Sequence, residues 1–253
     1  MKNAIVLGEF ELSFTKVLAH SVDAFERNLK LILAFSIPFL IAFPLSMLLP
    51  NFIALSGTFL RLGSVKLDLG AADVLIILIA FLLSLLFFSF AVAAINVVVR
   101  AQRTLNRLTS REVDSIEHAT INLFFIFLTA FAAIVGFNLF VFENGIDVVW
   151  GLLFSLIVSA MVLFAPQAVV IEEASLSHAV VKSISLIQRK FGFFLLFLLV
   201  AAVLFLVNSW IFLELGKIWW FARFLSLVTQ SLLILPFLEV LKTQIYLSKY
   251  ALL

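Results

Sequence analysis

Cysteine is absent from this chain of 253 residues, histidine occurs only three times, and charged residues make up only 13% of the sequence. Without cysteine there is no disulfide framework, no thiolate metal site and no cysteine nucleophile. Three scattered histidines do not form a metal cluster by themselves, and a net charge of +2 gives no support to nucleic-acid binding. We therefore expect no metal site, no cofactor and no nucleic-acid partner.

Apolar residues take the place of the missing charge. Hydrophobic residues make up 64% of the chain, whereas a soluble domain has roughly 45–50% and would aggregate at this composition. Uncharged runs fill 31–60, 74–99, 119–142, 148–171 and 191–213, and a sixth apolar run begins at Phe224. Each is long enough to cross a bilayer, which needs about 20 mostly apolar residues. We predict an all-α, polytopic membrane protein with six transmembrane helices and the lipid bilayer as a partner.

The polar stretches between these runs are too short for a separate soluble domain. The largest, 1–28, 100–118 and 172–190, each have fewer than 30 residues. Residues 1–28 contain four acidic residues and no continuous apolar core, so we expect the first apolar run to be an uncleaved signal anchor. We predict one integral membrane domain over 1–253.

The charges of the connecting segments predict the orientation. Six spans put both termini on one side of the membrane, and that side carries 13 of the 17 lysines and arginines. Positive charge is enriched in cytoplasmic segments. We therefore expect a multi-pass cell-membrane protein with both termini in the cytoplasm.

The polar segments on that side have the spacing of amphipathic helices. The apolar face of the first comprises Phe14, Leu18, Val22, Phe25 and Leu29, and the third repeats it 162 residues later with Leu176, Val180, Ile184, Ile187 and Phe191. The middle segment fits more loosely and begins with a capping-box pattern, Thr109-x-x-Glu112. We predict cytoplasmic interfacial helices near 12–28, 109–119 and 174–190. Such helices usually lie in the interface, and the alternative is a docking surface for a cytoplasmic or membrane protein partner.

These helices divide the chain into three parallel units, each an interfacial helix followed by a helical hairpin. The units are 9–100, 101–171 and 172–253. The alternative is coincidence, because any two amphipathic helices share a period of 3.6 residues and can be slid into phase. The fixed distance from each helix to the next span favours an internal repeat.

Two ionisable residues lie within the sixth span. Glu239 and Lys242 are three residues apart, so they share a helix face and can pair. Ionisable groups at membrane depth are costly and are a functional hypothesis by default. The two residues are therefore either a structural ion pair or part of a transport or substrate site. We expect Glu239 to face protein rather than lipid.

Two further carboxylates, Glu172 and Glu173, end the fourth span, and Lys182 and Arg189 follow on the next interfacial helix. The carboxylates can orient these cations or remain solvated at the helix junction. They can also be the paired carboxylates of a membrane hydrolase. Acid–base catalysis needs converging groups with shifted pKa values, and the sequence shows no such convergence.

Amides and prolines interrupt the apolar spans. Amides inside membranes usually link helices by hydrogen bonds, and a polar pore lining is the alternative. The amides are Asn96, Asn138, Gln167, Asn208 and Gln230. Proline bends a span, and broken helices line the binding sites of many transporters. The prolines expected to break spans one, four and six are Pro38, Pro44, Pro166 and Pro236.

One stretch resembles a known family. It reads Pro166-Gln-Ala-Val-Val-Ile-Glu172-Glu173 and is followed by Ala179, Ser183 and Phe191. It is similar to the prokaryotic six-helix proteins grouped with the membrane domain of glycerophosphoryl diester phosphodiesterases, although Ile184 stands where that family often has tryptophan. The resemblance implies a multi-pass membrane module with Ala179 and Ser183 on the buried side of an amphipathic helix. It does not imply phosphodiesterase activity, because the separate catalytic domain has no counterpart in this sequence.

Three functions fit these observations. A non-enzymatic scaffold or accessory subunit is favoured by the basic interfacial helices and by the lack of a soluble domain. The alternative is a permease subunit that works with a separate ATPase, since six spans and a short N-terminal interfacial helix also fit that class. A lipid-modifying enzyme would need ionisable residues gathered in one lipid-accessible pocket, and the sequence contains no recognisable catalytic motif.

Overall fold

The fold is built from helices throughout the part of the chain that is described. A computed structural model describes residues 2–48, 71–101 and 109–249. The helices are α1 (Lys2–Arg27), α2 (Leu29–Leu48), α3 (Ala71–Arg100), α4 (Ser110–Glu143), α5 (Val148–Val162), α6 (Ala165–Glu172), α7 (Leu176–Arg189), α8 (Phe191–Gly216), α9 (Ala222–Thr229) and α10 (Leu235–Leu247). A π-helical segment, Gln230–Ile234, joins α9 to α10.

Five helical stretches are long and apolar enough to cross a membrane. They are Leu78–Arg100, Ser110–Glu143, Val148–Glu172, Phe191–Gly216 and Ala222–Leu247. A shorter apolar stretch, Leu29–Ala42 within α2, holds the position predicted for the first span. The chain is therefore an all-α polytopic membrane protein, as predicted. Below, α2, α3 and α4 are spans one to three, α5 with α6 is span four, α8 is span five, and α9 to α10 is span six.

The spans differ in how deeply they are buried. In the most apolar part of spans two and six 39% of the residues are buried, against 17% in spans three, four and five. The second half of span four is an exception, because residues 165–170 are all buried. The outer spans instead expose large apolar side chains such as Leu156, Leu206 and Trp210, which suit contact with lipid tails. Spans two and six and α6 therefore form the centre of the bundle.

The first interfacial helix packs against the last hairpin. Phe14 of α1 meets Phe193 at the start of span five, with ring centroids 5.8 Å apart. Phe25 meets Phe237 of span six at 5.9 Å. One hydrophobic core includes Val17 of α1 together with residues of spans one to six. The N-terminal helix thus helps to close the bundle.

The interfacial helices follow the prediction in two of three cases. α1 and α7 cover the predicted segments, although α1 begins earlier, at Lys2. The predicted helix at 109–119 is not a separate element, because α4 continues without a break from Ser110 into span three. Its capping box is present, with the backbone N–H of Thr109 donating to Glu112 Oε2 at 2.7 Å. No proline or glycine lies between 110 and 135 to end the helix.

The side of α7 that packs against the protein carries two small residues. The buried residues of α7 are Ala179, Ser183 and Leu186, which confirms the placement of Ala179 and Ser183 on its buried side. Two larger residues of the predicted apolar face stay exposed, namely Leu176, the first residue of α7, at 41% and Phe191, the first residue of α8, at 55%. An interfacial helix that buries its small face in protein can give its larger apolar face to lipid.

Two of the three expected span breaks are present. A turn at Leu163–Phe164 divides span four just before Pro166, and the π-helical segment interrupts span six just before Pro236. Each proline is tolerated because it lies in the first turn of the helix that follows. The predicted break in span one is wrong, because α2 runs without interruption through Pro38 and Pro44.

Candidate functional site: a polar cluster between spans two, four and six

A group of polar side chains lies buried where α3, α6 and α10 meet. Asn96, Gln167 and Glu239 come one from each helix and are at most 7% exposed. Gln167 Nε2 donates to Asn96 Oδ1 at 3.0 Å and to Glu239 Oε2 at 3.4 Å. Asn96 Nδ2 donates to the same carboxylate oxygen at 3.3 Å. For Asn96 and Gln167 this confirms the prediction that amides link spans. We call these three residues, with Lys242 and Thr243, the intramembrane polar cluster.

The cluster contains a buried ion pair. Lys242 Nζ lies 2.6 Å from Glu239 Oε1, and both side chains are only 9% exposed. This confirms that Glu239 faces protein and that Lys242 is its cationic partner. Both carboxylate oxygens of Glu239 therefore accept from protein donors. An ionised carboxylate at this depth requires such donors, because an unpaired buried charge is very costly.

Thr243 completes the hydrogen bonding on the α10 side. Its hydroxyl lies 2.5 Å from Asn96 Oδ1 and 2.9 Å from the backbone oxygen of Glu239. The remaining donor capacity of Asn96 goes to the backbone oxygen of Val92, at 2.7 Å. Gln167 Oε1 is buried and has no hydrogen-bond partner among the described residues. The amide of Gln167 is thus the one member with an unused acceptor.

The turn that divides span four leaves backbone groups that contact side chains of neighbouring helices. The N–H of Phe164 donates to Ser183 Oγ of α7 at 3.1 Å. The backbone oxygen of Leu163 lies 3.5 Å from Lys242 Nζ. A turn in a membrane helix is tolerated where neighbouring side chains satisfy the freed backbone groups. The turn before Pro166 therefore connects the interfacial helix α7 with the intramembrane polar cluster.

A second cluster surrounds Glu172 at the end of span four. Glu172 Oε1 accepts from the hydroxyl of Tyr246 at 2.6 Å and from Lys249 Nζ at 2.8 Å, and its other oxygen pairs with Lys182. The side chain of Glu172 is 13% exposed, and Tyr246 is fully buried. One carboxylate thereby joins span four, α7 and the end of span six. Of the alternatives left open for Glu172, the contact with Lys182 is present, and the carboxylate is not solvated.

Glu173 and Arg189 take no part in that cluster. The side chain of Glu173 is 83% exposed and lies 3.9 Å from Arg100 Nη1. Arg100 donates its strongest hydrogen bond to the backbone oxygen of Val170, at 2.6 Å. Arg189 is exposed and forms no ion pair with a described residue, so neither carboxylate orients it, and Glu173 instead fits the alternative of a solvated carboxylate at the helix junction. The two glutamates do not converge on one point.

Polar residues also link the two spans of each of the last two hairpins. Asn138 Nδ2 donates to Ser155 Oγ at 3.1 Å, between spans three and four. Asn208 Nδ2 donates to Ser226 Oγ at 2.9 Å, between spans five and six. Both contacts agree with the expectation that amides link helices. Gln230 is half-buried at the start of the π-helical segment.

The carboxylates of both clusters are paired with protein donors, and this limits their use in acid–base catalysis. Acid–base catalysis requires a group that reaches a substrate, whereas Glu239 and Glu172 each accept from several protein donors. Two cavities described in the structure, of about 60 and 350 Å³, are lined by other residues than the intramembrane polar cluster. Among the side chains that the structure describes, no three acidic or histidine groups gather where a metal ion could bind.

Thr243 and Lys249 were not predicted to be site residues. Thr243 lies four residues after Glu239, and this spacing places both on one helix face. Lys249 gave no signal, since it follows the apolar run and its contact with Glu172 depends on the packing of span six against span four.

Comparison with known proteins gives no assignment, because no protein-family model, no curated protein and no solved structure matches this chain.

Proposed function

We propose that this chain is a non-enzymatic, multi-pass membrane subunit that acts as a scaffold for other proteins. The observation that carries the proposal is that two carboxylates of the candidate site, the buried Glu239 and the largely buried Glu172, are each paired with protein cations. Each joins at least two helices and is occupied by protein donors. Such pairing favours a fixed bundle over a site that binds and releases a substrate.

The face offered to partners is the bundle end that carries the interfacial helices. Its exposed charges include Arg27 on α1, Arg111 at the start of α4, and Arg189 on α7. Arg111 and Arg189 form no ion pair with a described residue. Unpaired, exposed cations at one end of the bundle suit an acidic protein surface.

The test is purification of the tagged full chain in mild detergent, with quantification of the proteins that come with it. The proposal expects a stoichiometric partner that is lost from an Arg111→Ala/Arg189→Ala variant. A Lys217→Ala variant, which alters an exposed cation elsewhere, is the matched control and should retain it. A monodisperse chain that purifies alone and converts a lipid substrate would overturn the proposal.

A permease subunit is the second candidate, and one observation favours it. The helical breaks in spans four and six lie close to the buried ion pair, since Lys242 reaches the backbone oxygen of Leu163 at the first break. Broken helices beside ionisable groups are found at the binding sites of many transporters. The candidate expects the co-purified partner to be an ATPase, and it expects uptake by reconstituted vesicles to require ATP.

The location proposed is the cell membrane, with both termini in the cytoplasm. The charge asymmetry of the connecting segments supports this orientation. Reporter fusions at Asn144 and at Leu253 should then read opposite sides of the membrane. If both report the same side, the six-span topology is wrong. Membership of the six-helix membrane family that the stretch from Pro166 to Glu173 resembles is likewise part of the proposal.

A further inference from the structure

A small basic pocket lies beside α7, next to the cluster around Glu172, with which it shares Lys182 and Lys249. Its volume is about 60 Å³. The lining consists of Lys182, Ser185, Leu186, Arg189, Lys190 and Lys249. Four of these six residues are cations and none is acidic. The pocket is formed where the end of α7, the start of span five and the end of span six meet.

The cations of the pocket are not balanced by carboxylates. Lys182 and Lys249 both pair with Glu172. Lys190 donates to the hydroxyl of Ser248 at 2.7 Å and forms no ion pair with a described residue. Arg189 has no described ion-pair partner either. Two cations of the pocket, Arg189 and Lys190, therefore have no carboxylate partner among the described residues, and this favours an anionic ligand.

The environment of Lys190 adds to this argument. Partial burial lowers the pKa of its ammonium group, because desolvation disfavours the charged form. An anion beside Lys190 would offset that penalty. The Lys190 Nζ also lies 5.3 Å from the centroid of the Phe193 ring, which holds the ammonium at the first turn of span five.

Size and position restrict the anion. A pocket of about 60 Å³ is far smaller than the roughly 300–1,000 Å³ that enclose a drug-sized ligand. It accommodates a single small oxyanion group. Arginine and lysine together suit phosphate, the first through its planar fork and the second as a point charge. The exposed Phe191 follows Lys190 directly and opens span five, so the pocket lies at the boundary between headgroups and acyl chains.

We propose that this pocket binds one phosphate group, carried by a phospholipid headgroup or present as free inorganic phosphate. The ligand is held by Lys190 and Arg189, with Lys182, Lys249 and the Ser185 hydroxyl around it. The proposal does not depend on the scaffold function, since it rests on the charge and size of the pocket alone.

The test uses the full chain in a neutral detergent and follows thermal unfolding by tryptophan fluorescence. One arm titrates phosphatidylglycerol against diacylglycerol with the same acyl chains. The other titrates sodium phosphate against sodium chloride at equal ionic strength. A ligand that binds only the folded state raises Tm in a saturable way, which gives an apparent Kd. Saturation by the phospholipid alone identifies a headgroup site, and saturation by phosphate identifies a site for the free anion.

Variants locate the binding. Arg189→Gln and Lys190→Gln should each weaken binding about fivefold, and together roughly 25-fold, as expected for loss of cations at a membrane surface. Arg27→Gln, an exposed cation on α1 outside the pocket, is the matched control and should bind as the wild type does. If Lys190→Gln does not fold, Arg189→Gln alone provides the test, because Arg189 is exposed. The proposal is overturned if neither titration saturates, or if the pocket variants bind as tightly as Arg27→Gln.

Discussion

The buried pair of Glu239 and Lys242 makes a double-mutant cycle informative. Glu239→Gln leaves the ammonium of Lys242 at membrane depth without the carboxylate now 2.6 Å away. Lys242→Met leaves the carboxylate with amide donors only. Removal of one partner of a buried ion pair costs about 3–5 kcal/mol, because the other charge stays buried and unpaired. The double variant Glu239→Gln/Lys242→Met removes both charges and should be close to wild type in stability.

The hydrogen bonds around the pair refine the expected losses of stability for the two single variants. In Glu239→Gln the new amide group replaces one of two carboxylate oxygens that both accept from protein donors. The new NH₂ group can donate to Gln167 if that side chain rotates, because Gln167 Oε1 has no partner among the described residues. We therefore expect about 3 kcal/mol for Glu239→Gln, the lower end of the range, and more for Lys242→Met. For a chain of this size 3 kcal/mol corresponds to a decrease in Tm of about 6–12 °C.

The assay is the temperature at which the monodisperse peak of each variant is lost in size-exclusion chromatography in mild detergent. A coupling of at least about 2 kcal/mol between the two sites is the expected result. The reasoning is refuted if the single variants keep the wild-type Tm, or if the double variant loses the sum of the two single losses. A stable double variant that no longer retains its partner protein would give the pair a functional role as well.

Three further substitutions are expected to act through local packing, each measured as a Tm in the same assay. Gly151→Ala places a Cβ against the Asn138 side-chain oxygen and should cost about 1–3 kcal/mol, whereas Gly136→Ala, where a Cβ meets nothing, should be neutral or stabilising. Glu173→Gly should be neutral or raise stability by about 1 kcal/mol, since Glu173 has a φ of +51° and its ion pair is exposed. Ser231→Ala should not lower Tm, because the buried hydroxyl has no described partner. A lower Tm for Gly136→Ala than for Gly151→Ala, or a clear loss in either of the last two, would contradict these expectations.

Hydropathy and local spacing account for what the sequence predicted well. The apolar runs locate the spans because a bilayer requires long apolar helices. The spacing of three residues places Glu239 and Lys242 on one helix face, and the structure confirms their contact. The contact of Glu172 with Lys182 could be considered from the sequence for a similar reason, since only a short connection separates α6 from α7.

Tertiary packing decides the rest. Hydropathy does not distinguish the inner span two from the outer spans, because its value of 2.7 is matched by span five, whereas span six is the least apolar at 1.9. The contacts of Asn96 with Glu239, and of Tyr246 with Glu172, join residues far apart in the chain. α2 continues through Pro38, whereas at the break before Pro166 a neighbouring helix accepts a freed backbone N–H, and a proline alone does not distinguish these two outcomes.

The spacing of the contacts bears on the repeat hypothesis. Asn96, Gln167 and Glu239 occur at intervals of 71 and 72 residues, each near the end of the second span of its predicted unit. The hairpin links follow a similar interval, since Asn138 and Asn208 are 70 residues apart. A threefold repeat predicts such equal intervals, whereas independent amphipathic helices do not. The first and third interfacial helices are 162 residues apart, which is more than the intervals of 71 and 72 residues together. The first unit therefore has additional residues, and they lie before Asn96.

The same alignment gives a reason for the ion pair. At intervals of 71 and 72 residues, the positions that correspond to Lys242 are Val99 and Val170, and both are buried. In the first two units an amide therefore accompanies an apolar residue, and in the third a carboxylate accompanies a lysine. A carboxylate in place of the amide introduces a buried charge, and the lysine one turn later neutralises it. If the repeat is real, Glu239→Gln/Lys242→Val converts the third unit to the pattern of the other two. That variant should then be at least as stable as the methionine double variant, and a Tm well below it would contradict this equivalence.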